Sequence, residues 1–330
     1  MKKHSVRYHI KRLPYYRRLV QIAWSYHVRK MKTVPYAPYR IWIEPTNRCN
    51  LKCVMCPNQQ FQPDDLGFME FRLFKKIVDE ISEFVYDINL HHRGEPTLHP
   101  ELPEMIRYAK ARGLSVKLHT NGTLLNRRMA ERILNSGLDL ISFSFDGFEA
   151  EVYEHIRKGA HFQRTLGNII GFLELRRSAG LTKPKAVMEI MEFDSARTDP
   201  EIKTRLMQDL VKKGMDRIIL KQPHNWGGNL QLNTGASQAY APCTFPWHAL
   251  VVSWDGKVGP CPHDFFGKIV LGDARLQYLR DIFNGLPMQR LRKNMELGFK
   301  SIESPCKECD SVRRKQCCGI PMESIKYIKE

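Results

Sequence analysis

The sequence predicts an α/β protein: a partial (β/α)6 barrel followed by a small Cys-rich C-terminal domain. Short apolar runs alternate with helical patterns from residue 39 onward, and six strands separated by helices form a parallel sheet with right-handed crossovers. The nine cysteines fall into two groups, one early and one late in the chain. The parallel sheet is expected to curl toward a barrel that binds ligands at the carboxyl ends of its strands.

Each expected element follows from a local pattern. The helix 71–84 places Phe74, Ile77, Ile81 and Phe84 on one side, at the spacing of an amphipathic helix. The expected strands are Arg40–Ile43, Tyr86–His91, Ser115–His119, Leu138–Phe145, Lys185–Met191 and Asp216–Leu220. The other expected helices are Glu101–Ala111, Asn126–Ser136, Glu149–Arg157, Arg164–Ser178, Glu201–Lys213 and Leu276–Asn284. Asp255-Gly256, between apolar runs, predicts a hairpin turn.

The composition is that of a globular chain with a basic first segment. Of 330 residues, 42% are hydrophobic, which is enough for a full core. The net charge is +17, and residues 1–40 contain eleven Lys and Arg but no Asp or Glu. Clustered cysteines without a signal peptide indicate metal or catalytic use in a reducing cytoplasm, not a disulfide framework. The longest apolar runs are too short for a membrane span.

Residues 1–38 are expected to form a basic arm in which aromatic residues are interleaved with the charges. Leu19, Val20, Ala23 and Trp24 can form one face of a short helix, a pattern that suits an anionic membrane surface. A solvated arm whose aromatics pack on the main domain explains the pattern at least as well. No nucleic-acid-binding motif is present, so no specific nucleic acid is expected. The predicted location is cytoplasmic, with peripheral attachment to the inner membrane face as an alternative.

Three cysteines follow the first strand at the spacing C-x3-C-x2-C: Cys49, Cys53 and Cys56. Three thiolates within eight residues can hold three corners of a cubic iron–sulfur cluster. The missing fourth ligand leaves one iron open to bind another molecule. Three alternatives remain: a zinc loop, a ferredoxin-like cluster with a distant fourth cysteine, and unligated thiols.

Polar or small residues also follow the next three strands. They are Gly94-Glu95-Pro96 after the second strand, Asn121-Gly122 after the third, and Ser144 with Asp146-Gly147 at the fourth. A glycine permits a close backbone approach, and a carboxylate accepts hydrogen bonds from an ammonium group. Asn121-Gly122 and Asp146-Gly147 are also ordinary turn pairs, but the joint placement of these residues at successive strand ends indicates a site. His91, His92 and His119 are expected to be rim or core residues rather than metal ligands.

Together these features resemble the radical S-adenosylmethionine (SAM) superfamily over about residues 39–223. The resemblance implies that Cys49, Cys53 and Cys56 bind a [4Fe–4S] cluster and that SAM completes the open iron. It further implies cofactor-binding roles for Met55 near the adenine, for Gly94-Glu95-Pro96 at the amino group, and for Ser144 and Arg157 at the carboxylate. One-electron cleavage of SAM would then release a 5′-deoxyadenosyl radical, which the protein must orient and protect.

The C-terminal cysteines are similar to the SPASM extension of radical SAM enzymes, which binds auxiliary [4Fe–4S] clusters. The resemblance covers about residues 242–319 and implies Cys243, Cys261, Cys306 and Cys309 as ligands. Cys317 is an alternative ligand or a ligand of a partial second cluster, and Cys318 is also available. A C-x2-C-x7-C zinc site and buried reduced thiols are the alternatives. The expected domains are therefore the arm 1–38, a radical SAM core 39–225 and a SPASM-like domain 226–330.

His263 and Asp264, just after Cys261, are candidate catalytic residues. An imidazole or carboxylate near an auxiliary cluster can take a proton from a substrate radical. The alternative is that both residues cap a turn.

The predicted function is that of a radical SAM enzyme acting on a small molecule, namely a sugar, cyclitol, nucleotide-sugar or lipid head group. Hydrogen abstraction would lead to oxidation, epimerisation or rearrangement. The alternative is a peptide-modifying maturase, against which residues 1–38 are too short for a folded leader-binding domain. A third hypothesis is a metal-stabilised binding protein without catalysis. The expected reductant is an acidic flavodoxin or ferredoxin that a basic surface can receive.

Overall fold

A computed structural model of the chain describes residues 13–193, 199–231, 240, 242–312, 316–317 and 320–321. The strands are β1 Arg40–Ile43, β2 Asp87–Asn89, β3 Ser115–Thr120, β4 Leu140–Ser144, β5 Lys185–Met191, β6 Arg217–Lys221, β7 Ala249–Val252, β8 Lys257–Gly259, β9 Gly272–Asp273, β10 Gln316–Cys317 and β11 Ile320–Pro321. The first nine form one sheet in the order β6-β5-β4-β3-β2-β1-β7-β8-β9, and β10 pairs with β11. All neighbours from β6 to β1 are parallel.

The six parallel strands confirm the predicted partial barrel. Consecutive strands lie side by side, as expected when each helix returns the chain to the same sheet. β1 and β6 do not pair with each other, so the barrel is open. The strand predicted over 86–91 is shorter, since its pairing with both β1 and β3 includes Asp87–Asn89 only.

The C-terminal part extends this sheet beyond β1. β7 pairs in parallel with all four residues of β1, and β8 pairs antiparallel with β7 across the predicted Asp255-Gly256 turn. Gly256 has φ +89°, a conformation that favours glycine in such turns. The pairing of β7 with β1 was not predicted, because a parallel pair between residues two hundred positions apart leaves no local signal.

The helices are α1 Leu13–Ala23, α2 Phe71–Ile81, α3 Leu102–Ala111, α4 Arg127–Leu134, α5 Ala150–Ile156, α6 Phe162–Ser178, α7 Pro200–Lys212, α8 Leu279–Phe283 and α9 Leu286–Leu297. α2 buries Phe74, Ile77 and Ile81, as its spacing predicts. α9 was not predicted, although a proline in its first turn is a recognisable start signal. No helix among the described residues has both the length and the hydropathy of a membrane span.

The arm packs on the C-terminal part from Tyr26 onward. The Tyr26 hydroxyl donates to Pro242 O at 2.5 Å, and Val34 exchanges two hydrogen bonds of 3.0 Å with the Asn284 side chain. These contacts agree with the packing interpretation of the arm. Val20 and Trp24 remain 68% and 52% exposed, and their contact with a membrane surface stays a prediction. Residues 1–12 lie outside the described part.

Candidate active site in the barrel

A cavity of about 470 Å³ lies inside the open barrel. Its wall includes nine of the predicted site residues, of which eight belong to the barrel: Cys49, Cys53, Cys56, Met55, Gly94, Glu95, Ser144 and Arg157. His263, from the C-terminal part, lines the same cavity. The structure thus brings residues from both cysteine-containing parts to one space, whose volume is typical of small-molecule sites.

The three-cysteine loop is held by backbone hydrogen bonds to the end of α5. Lys52 N donates to Lys158 O and Val54 N to Ile156 O, both at 2.9 Å. Cys56 N donates to Cys53 O at 3.0 Å, which closes the loop between these two cysteines. The three cysteines thus line the cavity on a loop whose backbone is held at these points.

Burial raises the pKa of each thiol in this loop, to about 12 for Cys49 and about 11 for Cys56. A thiolate there is unfavourable unless a positively charged partner accepts it. An iron–sulfur cluster supplies such a partner, because its irons bind thiolate sulfur.

Gly94 allows the loop after β2 to touch the segment that leads into the cysteines. A Cβ atom on Gly94 would lie 2.4 Å from both Arg48 O and Thr46 O, and 2.7 Å from Asn47 C. The next amide, Glu95 N, donates to Arg48 O at 2.8 Å. Gly94 and Glu95 therefore fix the position of residues 46–48, the three residues that precede the first cysteine.

The Glu95 carboxylate is buried and bound by protein donors. Its Oε1 accepts from Thr97 N, Thr97 Oγ1 and Thr120 Oγ1, at 2.6–3.0 Å. Its Oε2 accepts from Asn121 N at 2.7 Å. Burial raises the pKa of Glu95 and these hydrogen bonds oppose the rise. Oε2, with one such bond, retains capacity for a donor from the cavity.

Pro96, adjacent to Glu95, does not line the cavity. It begins a short 3₁₀ helix, Pro96–Leu98, which Glu95 caps by accepting the Thr97 amide. Its predicted cofactor-binding role stays a prediction.

Arg157 lies 6% exposed at the end of α5 and pairs with Asp146, 2.5 Å from Nη2 to Oδ2. Burial alone would lower the pKa of Arg157, but Asp146 and neighbouring Cys53 raise it. The Asp146 Oδ1 accepts Met191 N at 2.7 Å, so the pair is anchored to β5. Asp146 was noted only as a turn residue, and this positioning role was missed.

The donor set fits the expected cluster and SAM. Arg157 Nε is buried without a hydrogen-bond partner among the described residues, and it lines the same cavity as Ser144 and the cysteines. An unpaired cationic donor in a buried site is complementary to a carboxylate. SAM carries that carboxylate, and three thiols provide the cluster ligands.

A buried ion pair joins the barrel to the C-terminal part. Glu44 follows β1 and accepts hydrogen bonds from Arg93 N, at 3.0 Å, and Nε, at 2.7 Å, and from Trp254 N at 3.2 Å. Burial alone would raise the pKa of Glu44, but Arg93 and His92 hold it far below its usual range. This carboxylate fixes the β2 loop against the β7–β8 turn.

The four predicted auxiliary ligands are neighbours. Burial raises the pKa of Cys243, Cys261 and Cys306, and Coulomb repulsion among these thiols and Cys309 raises them further. Four thiolates on one zinc ion would place their sulfurs about 3.8 Å apart. In the described part of the chain, the side chains whose ligand atoms all lie within 4.8 Å of one another are His263, Cys309 and Asp310. The four thiols do not form such a group among the described residues, so they are not arranged as a tetrahedral zinc site in this structure.

His263 and Asp264 occupy different environments. His263 lines the cavity and its Nδ1 lies 3.2 Å from Ser311 Oγ. Asp264 does not line the cavity: its two oxygens accept Lys268 N at 2.9 Å and Ile269 N at 2.7 Å. Burial raises its pKa. This geometry supports the turn-capping alternative for Asp264 and leaves His263 as the candidate at the cavity. Cys317 ends β10, its side chain is outside the described part, and Cys318 lies outside it altogether.

Further polar residues of the barrel strands line the cavity and were not predicted as site residues: Arg40, Asn89, Glu189 and Lys221. His91 and His119, expected at the rim or in the core, line it as well. Glu189 pairs with Lys221 at 2.5 Å, and the rings of His91 and His119 stack at 3.9 Å. Charged residues at alternate positions of strands that should be buried on both faces were the available signal.

Residues 43–180 match the family described as the Radical SAM superfamily, and residues 243–310 match SPASM, an iron-sulfur cluster-binding domain. The chain is 30% identical, over 67% of its length and 70% of the relative, to the tungsten-containing aldehyde ferredoxin oxidoreductase cofactor-modifying protein of Pyrococcus furiosus. It is 25% identical to the S-adenosyl-L-methionine-dependent 2-deoxy-scyllo-inosamine dehydrogenase of Niallia circulans, over 82% of the chain and 92% of the relative. Other relatives match over only 27% to 41% of their length.

A solved structure of Streptococcus suis SuiB bound to precursor peptide SuiA has the same fold, with a TM-score of 0.65 and 14% identity over 92% of this chain and 75% of that one. The first family match is to a domain that binds a [4Fe–4S] cluster and SAM, and the second is to a domain that binds auxiliary iron–sulfur. This chain is therefore an enzyme that belongs to the radical SAM superfamily and carries a SPASM domain.

Proposed function

We propose that this enzyme removes a hydrogen atom from a carbon of a small hydroxylated molecule held in the barrel cavity. The observation that carries the proposal is the shared cavity, which joins the three-cysteine loop, Arg157 and His263 in about 470 Å³. When bound, the cluster and SAM would supply the 5′-deoxyadenosyl radical that takes the hydrogen. The products would be those of oxidation, epimerisation or rearrangement.

The chain's own residues would bind and orient the reactants. Cys49, Cys53 and Cys56 would hold the cluster, and Met55 would lie at the adenine. Arg157, kept in place by Asp146, would bind the carboxylate of SAM through its unpaired Nε, with Ser144 beside it. Gly94 and Glu95 would hold the amino group, for which Glu95 Oε2 has capacity. Such fixed polar groups orient the reacting atoms without reorganisation.

His263 would act at the opposite wall. Its ring is held near Ser311 and lies within 4.8 Å of Cys309, one of the four proposed auxiliary ligands with Cys243, Cys261 and Cys306. A neutral imidazole there would accept the proton that leaves a substrate hydroxyl during oxidation. The proposed units remain residues 1–38, 39–225 and 226–330, with the sheet continuing across the second boundary through β7.

A small molecule fits the described site better than a peptide, because SAM itself would fill much of the cavity. The 2-deoxy-scyllo-inosamine dehydrogenase of Niallia circulans, aligned over 92% of its length, is named for a cyclitol substrate. A peptide is the second candidate, since SuiB has this fold and is titled as bound to a precursor peptide. The proposed electron donor is an acidic flavodoxin or ferredoxin.

The test is anaerobic reconstitution with iron and sulfide, followed by dithionite and SAM. The proposal expects 5′-deoxyadenosine from the wild type and none from Cys53→Ala. Addition of sugars, cyclitols and their phosphates should stimulate its formation, and deuterium on the reacting carbon should enter 5′-deoxyadenosine. Stimulation by peptides alone would favour the second candidate, and absence of SAM cleavage from a fully loaded protein would contradict the proposal.

A further inference from the structure

We propose that the substrate carries an oxyanion, a phosphate or a carboxylate, which binds Arg40 and Asn89 at the end of the cavity away from the three-cysteine loop. This inference rests on the proposed function, because it concerns the substrate of that same site. It follows from the strand register, the unpaired donors and the charge balance of the barrel interior.

Strand register places both residues on the interior face. Arg40 and Trp42 alternate with Ile41 in β1, and Asn89 lies opposite Trp42 in β2. Ile41 is 0% exposed and belongs to the hydrophobic core, whereas Arg40, Trp42 and Asn89 line the cavity. Arg40 is the first residue of β1, and the cysteine loop comes after the last. At the usual rise per residue of a strand, the distance along β1 from Arg40 to Ile43 is about 10 Å.

Both residues offer buried donors without acceptors. Arg40 Nε and Asn89 Nδ2 are buried with no hydrogen-bond partner in the described part of the chain. Asn89 is only 7% exposed. Arg40 has no acceptor atom for the Asn89 amide nitrogen, and Arg40 Nε reaches no acceptor among the described residues, Asn89 Oδ1 included. Because unpaired buried donors are costly, an oxygen-bearing ligand is their natural complement.

No acidic side chain near the cavity forms an ion pair with Arg40 among the described residues. Lys221 neutralises Glu189 at 2.5 Å, and the Glu95 carboxylate is bound by its threonine and asparagine donors. Asp87, in register with Arg40, pairs with Lys117 at 3.0 Å through Oδ2. Its buried Oδ1 has no hydrogen-bond partner among the described residues, so it does not accept from Arg40, and Asp87 does not line the cavity.

No ion pair to Arg40 is formed within the described residues. Its guanidinium carbon lies 5.7 Å from the Trp42 ring centroid, which orients it by a cation–π contact. The other two arginines that line the cavity are paired: Arg93 with Glu44, and Arg157 with Asp146. Arg157 is proposed for the carboxylate of SAM.

The substrate is therefore expected to be an anionic member of the proposed class, a sugar or cyclitol that carries a phosphate or a carboxylate. The anion would bind at Arg40 and leave the carbon skeleton between it and the cysteine loop. An aminocyclitol without an acidic group would bring a second positive charge toward Arg40 and bind poorly. This chain would thus differ in substrate charge from a relative that acts on a free amine.

The test measures ligand binding to the holoenzyme, reconstituted with its iron–sulfur clusters and saturated with SAM. Glucose 6-phosphate, glucuronate and glucose serve as probes in anaerobic calorimetry, with inorganic phosphate as a minimal anion. We expect glucose 6-phosphate or glucuronate to bind at least about tenfold more tightly than glucose, and the stronger of the two identifies the anion. Equal affinity for glucose and for both acidic sugars, or no binding of any anion, would overturn the inference.

Two variants assign the binding to this end of the cavity. Arg40→Gln and Asn89→Asp should each weaken the acidic sugar at least about tenfold, whereas Arg29→Gln, on the exposed arm, should not. Unchanged affinity in both variants would overturn the inference, and Arg40→Lys should restore part of the binding if charge is the cause. SAM affinity is measured on the same samples. Failure of the wild type to bind SAM would contradict the proposed function. Normal SAM affinity without preferential binding of an acidic sugar would contradict only the inference about the anion.

Discussion

Replacement of Gly94 by alanine tests how the barrel positions the three-cysteine loop. The added Cβ would lie 2.4 Å from Arg48 O and from Thr46 O, well inside van der Waals contact. Both obstacles are backbone atoms, so no side-chain rotation relieves the clash. The segment before the cysteines must move away from the β2 loop.

The expected cost combines two effects. Overpacking of a tight contact costs about 1–3 kcal/mol, and separation of the two segments also breaks the 2.8 Å hydrogen bond from Glu95 N to Arg48 O, worth about 1 kcal/mol. We therefore expect Gly94→Ala to lower the free energy of unfolding by about 2–4 kcal/mol. A cysteine loop displaced in this way should also retain less iron.

The assay is urea unfolding of the apoprotein, together with iron analysis after reconstitution. Gly167→Ala is the matched control, because Gly167 lies within α6 and a Cβ there meets no atom within 4 Å. The control should be stabilised by about 0.5–1 kcal/mol, since alanine favours helix. A Gly94→Ala protein as stable as the wild type, with full iron content, would refute the account of this contact.

Three further changes test the site. Glu44→Gln should lower the free energy of unfolding by about 3–5 kcal/mol, because it leaves Arg93 buried without its partner. Since the pKa of Glu44 is lowered in the fold, this penalty should be full above about pH 4.3 and should shrink as the pH falls below it. Urea unfolding at several pH values measures the penalty. Arg157→Met should weaken SAM at least about tenfold in anaerobic equilibrium dialysis, through loss of a charge-assisted hydrogen bond. Cys243→Ala should lower the iron content from about eight to about four per chain, measured by iron analysis.

Each of these expectations has a contrary result. A Glu44→Gln penalty that does not change between pH 7 and pH 3.5 would show that the ion pair is not its source. Unaltered SAM affinity in Arg157→Met would place the carboxylate elsewhere. Retention of about eight irons in Cys243→Ala would remove that cysteine from the auxiliary set.

Local patterns were sufficient to predict the barrel. Alternating apolar runs located all six parallel strands, and Lys185–Met191 was predicted with its observed bounds. The helix α2 was predicted from its buried face, because periodic apolar spacing is a local property. Strand β7 was predicted as part of a hairpin, but its pairing with β1 depends on contacts between residues two hundred positions apart.

The candidate site was predictable where a motif carried it. The three-cysteine spacing and Gly94-Glu95 located part of the cavity lining, because the residues of each motif lie close together in the sequence. Other parts of the lining come from single residues on different strands, such as Arg40 and Lys221, and no spacing in the sequence marks them. Asp146 was likewise visible only as a turn residue until its pairing with Arg157 placed it in the site.

The central claim is that the three-cysteine cluster has an open iron that SAM occupies. The most direct measurement is the electron paramagnetic resonance spectrum of the reduced Cys261→Ala protein with and without SAM, since this variant should keep the cluster at Cys49, Cys53 and Cys56. The account predicts that SAM changes the signal of that cluster. Zinc in place of iron at these cysteines, or an iron–sulfur signal that saturating SAM leaves unchanged, would contradict it.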